Sequence, residues 1–169
     1  MSNVYEELVD AGASTTQLHE LGYTVKDPVT SKLFRYVQCH ASSTSAIALY
    51  SALYLYAPGT DHVVATNPVV TFYNDIFYGV GIYTIAKGSY GFVQVAPGNV
   101  QVFATSSGPT MLCGAIFGCT TDKSVLVYSS PTALTTAKPI GYVAVALPGV
   151  SMPAGGVTNY SLLFTVHLY

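Results

Sequence analysis

The sequence predicts an all-β protein: an antiparallel β-sandwich or barrel-like domain with a short N-terminal helix or arm. Three observations carry that expectation. Beyond residue 30, short runs rich in Val, Tyr, Thr and Phe repeatedly alternate apolar positions with a period of two. Turn pairs separate many of those runs, at Pro58-Gly59, Pro97-Gly98, Ser107-Gly108 and Pro148-Gly149. The charge is also lopsided. Eight of the fourteen Asp, Glu, Lys and Arg residues fall within the first 35 positions. That division separates an N-terminal arm or short helix, residues 1–30, from a β-sandwich domain, residues 31–169.

In the first segment, SNVYEELVDAG reads as a short helix, with Ser2 or Asn3 as its cap, acidic residues near its start and Gly12 just beyond its end. A helix of that length is marginal in water unless it docks on something. In KLFRYVQC, Leu33, Arg35, Val37 and Cys39 face one way and Phe34, Tyr36 and Gln38 the other, which is the pattern of a strand. The stretch SSTSAIALYSALYLY carries two signals. Ser42 to Thr44 fit the cap of a helical turn through Ala48, whereas Ser51 to Tyr56 reads as extended. Further strands are expected at His62–Ala65, Val69–Tyr73, Gly81–Ala86, Gly91–Ala96, Val100–Thr105, Met111–Phe117, Ser124–Tyr128, Ile140–Ala146 and Tyr160–His167. No internal repeat stands out. KGSYGFVQVAPGNVQVFATSSG, Lys87 to Gly108, reads as a hairpin turning at Pro97-Gly98-Asn99. Within it, Phe92, Gln94 and Ala96 share one face and Val93 and Val95 the other, so both faces are largely apolar. Each face is expected to be covered, by the domain's second sheet or by a neighbouring subunit.

Composition narrows the partners. The formal net charge of -2 and the scattered Lys and Arg residues offer no basic stripe for a nucleic-acid backbone. Only 8% of residues are charged, against about 25% in an average soluble chain, and the mean hydropathy is +0.43. Something must cover so much apolar surface. A membrane-spanning helix needs about 20 continuous apolar residues, and the best run, Ala46 to Tyr56, is too short. No membrane partner is therefore expected, and contacts with protein are, including a homo-oligomer, most simply a homotrimer. Glu6, Glu7 and Asp10 stand where a signal peptide would need a basic start and an apolar run, which implies synthesis and use in a cytoplasm. Cys39, Cys113 and Cys119 form an odd set without CxxC spacing and read as free buried thiols.

No pattern of catalysis emerges. Asp61, His62, His40 and many serines supply the raw ingredients of a triad, but GVSMP around Ser151 lacks the second glycine of a nucleophile elbow, and GSYG around Ser89 has the wrong spacing. Asp61-His62 reads as a polar turn leading into a strand. Cys113, Cys119 and Cys39-His40 lack the spacing of metal ligands, and His19 and His167 have no partners nearby in sequence. Asp61, Asp75 and Asp122 show no pairing suited to glycoside hydrolysis, and GVG at Gly79 to Gly81 lacks the rest of a phosphate-binding loop. The expectation is a protein with no catalytic site, no metal and no cofactor.

Three stretches resemble the capsid decoration, or cement, proteins encoded in the head-gene clusters of tailed bacteriophages. LGYTVKDPVTSKLFRYVQCHAS, Leu21 to Ser42, is similar to a pattern of Leu-Gly, a strand, a polar turn and an aromatic-Arg-Tyr-Val strand, although Ser31 stands where glycine is common. Lys87 to Gly108 is similar to the aromatic-Gly-aromatic-Val-Gln strand, glycine turn and second strand of the same proteins, with Pro97 as a departure. PIGYVAVAL, Pro139 to Leu147, resembles their late Ile-Gly strand. The resemblance implies a structural protein on the outer surface of a capsid in the virion. It would sit over junctions between major capsid subunits, commonly as a homotrimer, and stabilise the shell. Tyr5, Leu8, Leu18, Leu21 and Tyr23 are the candidate contacts with the capsid or between subunits, because they lie in a segment too short to build its own core. The alternative is a carbohydrate- or receptor-binding β-sandwich displayed on the virion, for which two or three exposed Tyr rings beside Asp or Asn would be the mark.

Overall fold

Alternating apolar residues and frequent turn pairs do produce a strand-rich chain. The computed structural model describes residues 9, 11–56, 60–66, 77–96, 99–106, 116–118, 126–128, 144–146 and 157–164. Among them lie eleven strands: β1 (Thr24–Lys26), β2 (Leu33–Cys39), β3 (Ala52–Leu55), β4 (Val63–Ala65), β5 (Phe77–Gly81), β6 (Tyr90–Ala96), β7 (Asn99–Ser106), β8 (Ile116–Gly118), β9 (Leu126–Tyr128), β10 (Ala144–Ala146) and β11 (Val157–Phe164).

Of the two architectures expected, the barrel is the one found. The first sheet runs β1-β2-β4-β3-β5-β6, and β6 also pairs with β2, so β2 to β6 close into a five-stranded barrel with β1 as an added strand. β10-β11-β7-β9-β8 form a second closed barrel. Among the described residues, closure gives each barrel strand a neighbour on both sides, while β1 pairs on one side only, which suits a chain this poor in charged residues. The pairing is mostly antiparallel but mixed, because β2 runs parallel to β4 and β7 parallel to β9.

The hairpin expected at Pro97-Gly98 does not form. β6 pairs with β2 and β5, whereas β7 pairs with β11 and β9. The tight two-residue hairpin turns need a positive φ at their first central residue, and the proline ring holds φ near -65°. Two other expectations also shift. The strand placed at Gly81–Ala86 lies earlier, at β5, and Ile85 makes an isolated bridge to Ile47. Residues 42 to 46 form turns and bends, not a helix. The strand expected at Val69–Tyr73 lies outside the described residues, as does the N-terminal helix except for Val9, which is helical.

The period of two in β2 and β6 builds two cores. Val37, Cys39, Val93 and Val95 point into the barrel with Ile47, Leu53, Val64, Tyr78 and Ile85. Phe34, Tyr36 and Phe92 point outward and are buried as well, beneath Val9 and Val25, with Leu21 packed alongside. The cover expected from a second sheet or a neighbouring subunit therefore comes from the chain's own N-terminal segment. Backbone bonds fasten it: Ser14 and Tyr90 exchange two, and Gly22 N–H and Tyr23 C=O both bond to Tyr36. β1, which lies inside residues 1–30, pairs with Leu33 to Arg35, so the sheet begins before the boundary drawn at residue 30.

The β1–β2 turn is tied by Asp27. Its carboxylate accepts from Val29 N–H at 2.9 Å and from the Thr30 hydroxyl, which holds its pKa below the usual carboxylate value. Ser31, in the position where glycine is common in the resembling proteins, adopts φ 59°.

Candidate functional site

Two clusters gather the chemistry-bearing side chains of the first barrel. The first is inside. Arg35 alternates with Val37 on β2 and so faces the interior, where its guanidinium lies 5.8 Å from the centre of the Tyr78 ring. His62, at the start of β4, places Nδ1 2.5 Å from the Tyr78 hydroxyl. A neutral imidazole with an unprotonated Nδ1 accepts from the Tyr78 hydroxyl in this arrangement. Burial, followed by the Arg35 charge, pushes the His62 pKa below its ordinary value. Burial also pushes the Tyr78 hydroxyl up to about 12, against the opposing pull of Arg35. A neutral imidazole thus faces a phenol whose ionisation is disfavoured by burial.

His62 meets the Tyr78 hydroxyl, not a serine, among the described residues. His40 accepts at Nδ1 from the Ser42 backbone N–H and stacks on Tyr56 with ring centres 3.4 Å apart. The Cys39 thiol is buried, and burial raises its pKa. Among the described residues, no group of three His, Cys, Asp or Glu is placed to hold a metal. Cys113, Cys119, Ser151 and Asp122 lie outside the described residues.

The second cluster is on the outside, and it involves three of the sequence-predicted contact residues, Leu18, Leu21 and Tyr23. His19 stacks on Tyr23 at 5.3 Å and meets Tyr36 and Phe92 edge-on or tilted at 5.1 and 5.7 Å. The Leu18 N–H donates to the Tyr36 hydroxyl at 3.0 Å, which locks the loop to the ring beneath it. Leu18 remains 61% exposed and Tyr23 45% exposed, so both project from the covered sheet into solvent. Leu21 does not: it is half-buried against the outer core of the same chain. Tyr5 and Leu8 lie outside the described residues. Of the tyrosines in this cluster Tyr23 alone is exposed, while Tyr36 is buried and Tyr90 half-buried. Sequence reasoning missed His19 as the ring that bridges the exposed and buried layers. The signal was present in the two-sided apolarity of β2 and β6, which demanded a cover, but nothing local named the residue that would supply it.

No protein-family model matches the sequence, and no curated protein matches it. Among solved structures, the head fiber gp8.5 N base of bacteriophage phi29 is similar at a TM-score of 0.46 and 14% identity, covering 79% of this chain and 94% of that one. That score lies below the level at which two chains share a fold.

Proposed function

We propose that this chain is a structural protein of a phage virion, which binds the outer surface of the capsid and stabilises contacts between major capsid subunits. The observation that carries the reading is where the resembling stretches fall. Leu21 to Ser42 supplies β1 and β2, and Lys87 to Gly108 supplies β6 and β7. The first of these stretches, and the first half of the second, thus supply β1, β2 and β6 of the covered sheet, with the exposed Tyr23 beside them. Leu18 and Tyr23 are the contacts we assign to the capsid, with Tyr5, Leu8 and Leu21 on the same segment. The assembly we propose is a homotrimer, in which cyclic symmetry lets one apolar patch meet its mates without leaving a sticky edge.

Cosedimentation of the purified protein with undecorated, expanded capsids tests this. Saturable binding is expected, weakened at least tenfold by Leu18→Ala with Tyr23→Ala while circular dichroism stays unchanged. Failure of the unaltered protein to sediment with capsids would remove the proposal. Glycan-array binding that depends on Tyr23 would replace it with the carbohydrate reading.

A further inference from the structure

We infer that the chain contains two copies of one five-stranded barrel unit in tandem, β2 to β6 and β7 to β11, each closing on itself by the same strand pairing. In the first barrel, the first strand pairs in parallel with the third, the third with the second, the second with the fourth, the fourth with the fifth, and the fifth closes on the first. The second barrel repeats that order and every orientation: β7 parallel to β9, then β9–β8, β8–β10, β10–β11 and β11–β7, all antiparallel. Five strands can close in many cyclic orders, and a parallel pair can fall at several places in the ring.

The register repeats as well. Followed through the paired residues, bulges apart, one circuit of the first barrel that starts at Gln38 returns to the line of β2 at position 30, eight residues lower. A circuit of the second that starts at Ala104 returns to the line of β7 at position 96, again eight lower. Strand number and stagger together fix a barrel's radius and tilt, so the two have the same dimensions. Spacing along the chain agrees. The strands of the second unit begin 63 to 67 residues after their counterparts in the first. Gly88 and Gly155 each stand two residues before the last strand of their unit, and Gly88 needs that freedom at φ 80°.

The difference between the copies also has a physical reason. The first unit is preceded by 32 residues, which supply β1 and the cover over Phe34, Tyr36 and Phe92. The second is preceded by only two, 97 and 98. Its sequence is suited to that. Register pairs Gln101 with Ser161 and Phe103 with Asn159, in alternation with Val100–Leu162 and Val102–Tyr160. As sequence, these paired stretches carry Gln101, Asn159 and Ser161, where β2 and β6 are largely apolar.

Hydrogen exchange on the full-length protein tests the inference, together with interstrand nuclear Overhauser contacts. Leu53, fully buried in the first barrel, is replaced by alanine, and the milder Ile85→Val serves if that variant does not fold. Exchange within residues 33–96 should rise at least 30-fold for Leu53→Ala and about 2- to 10-fold for Ile85→Val. Exchange within 99–164 should change less than twofold, and contacts should link Thr105 with Val127 across the parallel pair. Equal acceleration in both halves, or absence of the β7–β9 contacts, would overturn the two-unit reading.

Discussion

Replacing Phe92 with alanine tests whether the outside of the first barrel is a true core. Phe92 is 1% exposed, although it points away from the barrel interior. Its ring lies 5.1 Å from Tyr36, 5.7 Å from His19 and 6.4 Å from Tyr23. Removing a phenylalanine from such a site costs about 3–5 kcal/mol, in lost transfer energy and in the cavity left behind. With a urea dependence of about 2 kcal/mol per molar, the midpoint of unfolding should fall by roughly 1.5–2.5 M. If the N-terminal segment instead stood off as a free arm, Phe92 would face water and its loss would cost no more than about 0.5 kcal/mol. The assay is urea unfolding followed by far-UV circular dichroism, since the chain has no tryptophan. A double-mutant cycle with His19→Ala should show a coupling of about 0.5–1.5 kcal/mol. A small loss for Phe92→Ala, or a coupling near zero, would refute the reasoning that the segment from Val9 to Val25 is part of the fold.

Ser31→Gly should raise stability by about 0.5–1 kcal/mol in the same assay, because relief of a left-handed backbone worth about 1–2 kcal/mol exceeds the extra unfolded-state freedom of glycine. Gly22→Ala should lower it by about 2–5 kcal/mol, since a Cβ there overlaps the His62 imidazole at φ 87°, whereas Gly12→Ala, at φ 78° in open space, should lose only about 1 kcal/mol. The pH dependence has a definite sign at His62. Its pKa is depressed in the folded state, so the unfolded chain takes up a proton that the native state refuses. That contribution is complete above the unfolded value of 6.5 and is lost as pH falls from there towards the folded value. Urea midpoints should therefore fall between pH 7 and pH 5, and His62→Gln should flatten that slope; an unchanged slope would show that another group is responsible. The depressed Asp27 acts in a separate window, below 3.8, where its contribution is lost as pH falls through the folded value.

The local chemistry of the chain determined where extended structure forms and which way its side chains alternate. Leu33, Arg35, Val37 and Cys39 share a face, and Val93 and Val95 oppose Phe92, because a strand's period of two is a property of the backbone itself. Glycine's absence from position 31 was legible as a departure, and it proved to be a left-handed serine. The apolarity of both faces of β2 and β6 already required a cover on each side. What covers them was not legible, because Val9, His19 and Leu21 reach Phe34, Tyr36 and Phe92 only through pairings distant in sequence. The same limit hid the partners of β6 and β7. Adjacent strands with a turn between them read as a hairpin, yet each strand closes a different barrel. Strand order, the His62–Tyr78–Arg35 contact and the repetition of one barrel topology were decided only by tertiary structure. They depend on which distant strands meet, and alternation along a single strand carries no information about its neighbour.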